Sequence, residues 1–118
     1  MDKFEAQKSK VYLGIVWGDS DNKLKKYQLT KYAAKRNYDM KLSQIVHMDL
    51  LDLVLTDFGV DQIEQVIVHN ISDFSDMTEF CMLYQICKEL GLPWVVATQN
   101  IRSEDFKTDI DFRAFINF

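Results

Sequence analysis

Residues 65–100 read QVIVHNISDFSDMTEFCMLYQICKELGLPWVVATQN, and their order decides the fold. QVIVHN (65–70) is a short run of β-branched residues, as a fully buried strand requires. MTEFCMLYQICKELG follows, and residues 76–90 place Met77, Phe80, Cys81, Tyr84 and Cys87 along one stripe at helical spacing. The Gly91-Leu-Pro sequence stops that helix, and WVVATQN (94–100) is again strand-like. Strand, helix, strand within about thirty-five residues is a parallel βαβ unit.

The same alternation extends toward the N-terminus. KVYLGIVW (10–17) predicts a buried strand and the turn-forming GDSDN a helix start. KLKKYQLTKYAAKR (23–36) holds good helix formers without Gly or Pro, with Leu29, Tyr32 and Ala33 on one face. MKLSQIVHM (40–48) predicts a second strand. DLLDLVLTDFG (49–59) predicts a helix with Leu50, Leu53, Val54 and Asp57 on one side, ending at Gly59. The tail predicts a loop and a short helix around Phe112, Phe115 and Ile116. The expected fold is α/β: one three-layer domain over residues 1–118, with a mostly parallel four-stranded sheet and helices on both faces.

Composition narrows the function classes. The chain has 118 residues, suited to one ordinary core, and 27% of them are charged. Net charge is −4, without the basic surplus of a free-standing nucleic-acid binder. The polar N-terminus MDKFEAQKSK contains no apolar signal segment, and no apolar run reaches membrane-spanning length. A cytoplasmic location without membrane contact is expected. Cys81 and Cys87, six positions apart on one helix, diverge by about 240° and are read as packing residues. His47 and His69 stand at strand ends without a second ligand at metal spacing. Trp17 and Trp94 are read as core.

Ligands of such sheets gather beyond the carboxyl ends of the strands, here the loops GDSDN, ISDFSD (71–76) and TQNIRSEDF. At these loops the chain resembles the catalytic domain of serine recombinases, the resolvase and invertase family. That family begins with a strand reading roughly Y-x-R-V-S. A Leu/Tyr-Ala helix ending near G-Y follows. Later come an apolar strand, a loop such as D-R-L-x-R, a helix ending in G-V and another strand. VYLGIVWGDSDNKLKKYQLTKYAAKRNYDM and VDQIEQVIVHNISDFSDMTEFCMLYQICKELGLPWVVATQNI are similar to these segments, so the resemblance covers about residues 10–115.

The resemblance places the family's first-strand arginine on Gly14 and its nucleophilic serine on Val16. The loop acid falls on Ser72 and the two loop arginines on Asp73 and Asp76. None keeps its chemistry. Attack on a DNA phosphodiester needs a hydroxyl nucleophile and guanidinium groups to hold the phosphate. Each Arg-to-Asp exchange changes local charge by two units, and unit charges at ~4 Å interact by several kcal/mol even when screened. The expectation is a catalytically inactive, resolvase-like domain without a cofactor. It would act as a protein-interaction or regulatory module of phage or mobile-element origin, through a protein partner or as a homodimer. The family's dimer helix and DNA-binding region would follow about where the sequence reaches Phe118, so no specific DNA binding by the domain alone is expected.

Two sets of residues are candidate partner contacts. Lys23, Lys25, Lys26 and Lys31 lie in a span, 22–38, that contains no acid. Such a span is a solvated face, or a surface for an acidic partner or weak nucleic-acid attraction. Phe112, Phe115 and Phe118, with Phe106, either fold back over the sheet or form a sticky patch. An alternative reading uses the same fold as a receiver-like Mg²⁺-binding phosphoacceptor. It would employ Asp19 and Asp21 as an acidic pair, Asp73 as acceptor and Thr98 as switch hydroxyl. Ser20, between Asp19 and Asp21, is read as a turn residue.

Overall fold

The computed structural model describes residues 10–17 and 23–117. Strand β1 (Val11–Trp17) leads to helix α1 (Lys23–Ala34) and strand β2 (Met40–Ile45). A 3-10 turn (Met48–Leu50) opens helix α2 (Leu51–Phe58). Strand β3 (Ile63–Val68), helix α3 (Met77–Leu90), strand β4 (Trp94–Val96), strand β5 (Ile101–Arg102) and helix α4 (Asp109–Ile116) complete the chain. The sheet order is β2-β1-β3-β4-β5, parallel except for β5. The α/β three-layer expectation holds, with a fifth strand. Residues 94–100 do not form one strand. The chain turns after Val96, and Asn100 takes a left-handed backbone (φ 54°), so Ile101–Arg102 returns antiparallel to β4.

Strand alternation divides the core. Leu13, Ile15, Val66, Val68, Trp94 and Val96 point to one face, where they meet Leu51 and Leu55 of α2, Phe80, Leu83 and Cys87 of α3, and Phe112 of α4. Tyr12, Val16, Ile67 and Val95 point to the other, which α1 covers with Leu29 and Ala33. Topology explains the split. The chain moves one way along the sheet from β1 to β2, and the other way from β2 through β3 to β4. Right-handed crossovers therefore put α1 opposite α2 and α3.

Two helix faces differ from expectation. In α2 the buried residues are Leu51 and Leu55, while Leu50 and Leu53 are exposed. The 3-10 turn before α2 sets this phase, since it buries Met48 and brings Leu51 inward three residues later. In α3 Leu83 joins Phe80 and Cys87 in the buried stripe, and Met77, in the first turn, is exposed. Helix α3 begins where Asp76 Oδ1 accepts from the Glu79 amide at 3.2 Å, and ends at Gly91 (φ 71°), with Leu92 N donating to Cys87 O at 2.8 Å. No helix among the described residues is long and apolar enough to cross a membrane.

Candidate functional site

The strand order changes direction between β1 and β3, and the carboxyl ends of those strands are where an open α/β sheet forms its crevice. Of the loops there, 18–22 lies outside the described residues, and with it Asp19, Ser20 and Asp21. The loop 69–76 and the turn after β4 are tied together by side chains. Asn70 Nδ2 donates to Thr98 Oγ1 at 2.8 Å, and Asn70 Oδ1 accepts from the Ser72 amide at 2.8 Å. Gln99 Oε1 accepts from the Ile71 amide at 3.1 Å, and Gln99 Nε2 donates to Asn70 Oδ1 at 3.1 Å. These bonds fix a loop that has no ladder of its own.

The two aspartates of this loop have separate structural tasks. Asp76 caps α3, and the neighbouring Ser75 amide donates to Glu79 Oε1 at 2.6 Å. Asp73 turns inward. Its side chain is 3% exposed, and its Oδ1 accepts from Lys25 Nζ at 2.6 Å. Asp73 Oδ2 is buried with no partner among the described residues. The expected excess of negative charge at the mouth is thus smaller than the loop sequence implies, because Lys25 offsets Asp73.

Lys25 sits one turn before Gln28 on α1, and Gln28 Oε1 meets His69 Nε2 at the end of β3. With Nε2 donating, Nδ1 is left buried without a partner among the described residues. Burial holds the imidazole below its ordinary pKa; Asp73 pulls it up and Lys25 pushes it down. The Lys25–Asp73 and Gln28–His69 pairs join residues far apart in sequence. Only their helical spacing beside the sheet-facing Leu29 could have placed them near the strand ends.

The positions that the resemblance compares with recombinase chemistry are otherwise filled. A Cβ on Gly14 would lie 2.9 Å from Met40 Sδ and 3.0 Å from Leu42 Cδ2, so a longer side chain there requires these two side chains to shift. Val16 is 1% exposed, inside the α1 layer. Ser72 is exposed on the 3-10 turn (Ile71–Asp73) that follows β3. For the receiver-like alternative, Asp73 is engaged by Lys25, Thr98 holds Asn70, and no group of three or more His, Cys, Asp or Glu able to hold a metal ion occurs among the described residues.

Of the partner-contact candidates, Lys25 is committed to Asp73, and Lys23, Lys26 and Lys31 lie along α1. Phe112 is 3% exposed and belongs to the core, stacked on Tyr84 with ring centroids 3.8 Å apart. Its expected availability to a partner is corrected accordingly: the short tail helix folds back and buries it. Phe106 is half-buried, Phe115 is 39% exposed, and Phe118 lies outside the described residues.

Beside the crevice, α1 and the ends of β3 and β4 flank an open groove of about 410 Å³, lined by Tyr27, Gln28, Lys31, Tyr32, Lys35, Arg36, His69, Ala97 and Thr98. The Arg36 guanidinium carbon lies 3.6 Å from the centroid of the Tyr32 ring, and Arg36 Nη1 donates to Tyr32 O at 3.1 Å.

A resolvase family site-specific recombinase from Streptococcus pneumoniae, known from its crystal structure, is similar in fold. The TM-score is 0.68 at 17% sequence identity, over 93% of this chain and 86% of that one. The chain therefore has a resolvase-like α/β fold. No family model matches it, and no curated protein does.

Proposed function

We propose that this domain keeps the recombinase fold without the recombination chemistry and serves as a protein-interaction or regulatory module, of phage or mobile-element ancestry. The observation that supports it most is the use of the loop after β3. There Asp76 caps a helix and Asp73 is buried against Lys25, so neither offers a cation to a phosphate. The close approach of Met40 and Leu42 to Gly14 and the burial of Val16 point the same way. Such a module would work through a protein partner or a second copy, with Lys26, Lys31 and Phe115 as its accessible candidate contacts, and without a cofactor.

Incubation with supercoiled plasmid tests this reading. No nicked product and no covalent protein–DNA adduct should form, with or without Mg²⁺. Strand cleavage by the purified protein, lost in a Ser72→Ala or Ser20→Ala variant, would overturn it.

A further inference from the structure

We infer that the groove between α1 and the ends of β3 and β4 binds a nucleotide unit, a phosphate joined to a planar base. This goes beyond the interaction-module reading and does not depend on it.

Charge is the first reason. The span 22–38 contains no acid in a chain of net charge −4. Lys31, in the last turn of α1, and Lys35, just past its end with its amide on Lys31 O at 3.0 Å, both line the groove, and neither pairs with a carboxylate among the described residues. Like charges at that spacing repel, and an anion between them relieves the repulsion. Arg36 adds a third cation at the same wall. In the loop after β3, Asp73 does not cancel this field, since it is turned inward onto Lys25.

Flat surfaces are the second reason. Arg36 lies against the Tyr32 ring, and a guanidinium held this way offers its other face for stacking. Tyr27, 63% exposed, adds an aromatic ring at the rim. An acidic peptide would use the cations and leave both flat surfaces idle. Inorganic phosphate alone would leave the flat surfaces of this open groove unused. A base on the Arg36 plane with its phosphate between Lys31 and Lys35 uses both. Gln28, whose Oε1 meets His69 Nε2, then has its side-chain Nε2 for the base edge or the sugar.

The test is a titration of the isotope-labelled full chain followed by amide NMR, with AMP, inorganic phosphate and a short oligothymidylate as separate probes. Saturable shifts at Lys31, Tyr32, Lys35, Arg36 and His69 are expected with AMP if the ligand is a free nucleotide. If the unit lies within a single strand, only the oligothymidylate should saturate at these residues. The double variant Lys31→Ala/Lys35→Ala should weaken either ligand about tenfold or more, as loss of two charge-assisted contacts implies. Both lysines are exposed, and an unchanged thermal melt shows that the variant is folded. Arg36→Lys keeps the charge and loses the plane, so it should weaken AMP or the oligomer but not phosphate. Three results overturn the proposal: no saturation with AMP or oligothymidylate, phosphate binding as tightly as either, or affinity that survives the double variant.

Discussion

One face of the sheet is closed by interlocked aromatic rings, the other by a single helix bearing tyrosines and lysines. On the first, Phe80 lies 5.3 Å from Phe74, 5.5 Å from Trp94 and 5.3 Å from Phe112, centroid to centroid, and three helices complete the layer. On the second, Tyr12 stacks on Tyr38 at 4.5 Å and nears Tyr32 at 6.2 Å, under α1 alone. Phenylalanine rings, which dominate the first face, have no polar atom and can be sealed completely, whereas tyrosines keep a hydroxyl that wants a partner or water. The difference assigns stability to the face of α2, α3 and α4, and leaves the α1 face free to present charge and hydrogen-bonding groups. Substitutions on the two faces should therefore separate in size.

The largest effect is expected from Phe80→Ala. Removing a fully buried ring in contact with four other rings should cost about 3–5 kcal/mol, enough to unfold a marginal domain. Tyr32→Ala, on the thin face, should cost no more than ~2 kcal/mol. Urea unfolding with unchanged slopes measures both. Equal losses would erase the distinction between the faces.

Second in size is Lys25→Ala. It strands the Asp73 carboxylate, whose side chain is 3% exposed and whose Oδ2 already lacks a partner among the described residues. The expected loss is ~1–3 kcal/mol, toward the low end because the Lys25 side chain is 40% exposed and the pair is partly screened. Adding Asp73→Asn should restore most of it, and the double-mutant cycle gives the coupling. If the single variant is as stable as the parent, Lys25 does not hold Asp73 in solution, and the mouth of the sheet regains the negative charge implied by the loop sequence.

These pairs also mark how far the sequence alone could be read. The βαβ order was legible because buried parallel strands such as QVIV lack alternation and helix α3 carries a periodic stripe with a glycine stop. The cysteines were legible as packing. Cys87 is buried, with its thiol pushed up to about 12 by burial, and Cys81 is half-buried. The phase of α2 was not legible, because Leu50, Leu51, Leu53 and Leu55 offer two apolar faces and the preceding 3-10 turn chooses between them. Phe112 and Phe115 looked alike in sequence, and only the docking of α4 against Phe80 separates the core residue from the surface one. At the candidate site, the aspartates were read for their charge. Their roles depend on Lys25 and on the Glu79 amide, and the lysine lies in another element.

A smaller effect, local to the mouth, is expected from Asp76→Ala. Losing the side-chain acceptor for the Glu79 amide should cost about 1 kcal/mol, and Asp76→Asn should recover most of it, since an amide oxygen also caps. Hydrogen exchange should speed up at the Glu79 amide and leave the amides of Leu83 and Cys87, deeper in α3, protected. A loss near that of Phe80→Ala would mean that the Asp76 cap, and not only Phe74, anchors the loop to the stable face.

The smallest effect is a pH dependence confined to the α1 face. His69 has its pKa lowered in the folded state, chiefly by burial, while the unfolded chain keeps the ordinary value near 6.5. As pH falls through that value, the unfolded state takes up the proton first, so stability is full above it and declines as pH drops toward the folded pKa. Chemical unfolding at a series of pH values from about 7 to about 5 should show this decline. His69→Gln should flatten it, and Phe80→Ala should lower the whole curve without changing its shape. A proton on Nδ1 would enter a buried position with no acceptor among the described residues, which is why the imidazole resists it. An anion in the adjoining groove would supply a counter-charge, raise the His69 pKa and shrink the slope. A pH slope that is unaltered by saturating AMP or oligothymidylate would place the bound phosphate too far from His69 to matter, and would leave Lys31, Lys35 and Arg36 to hold it.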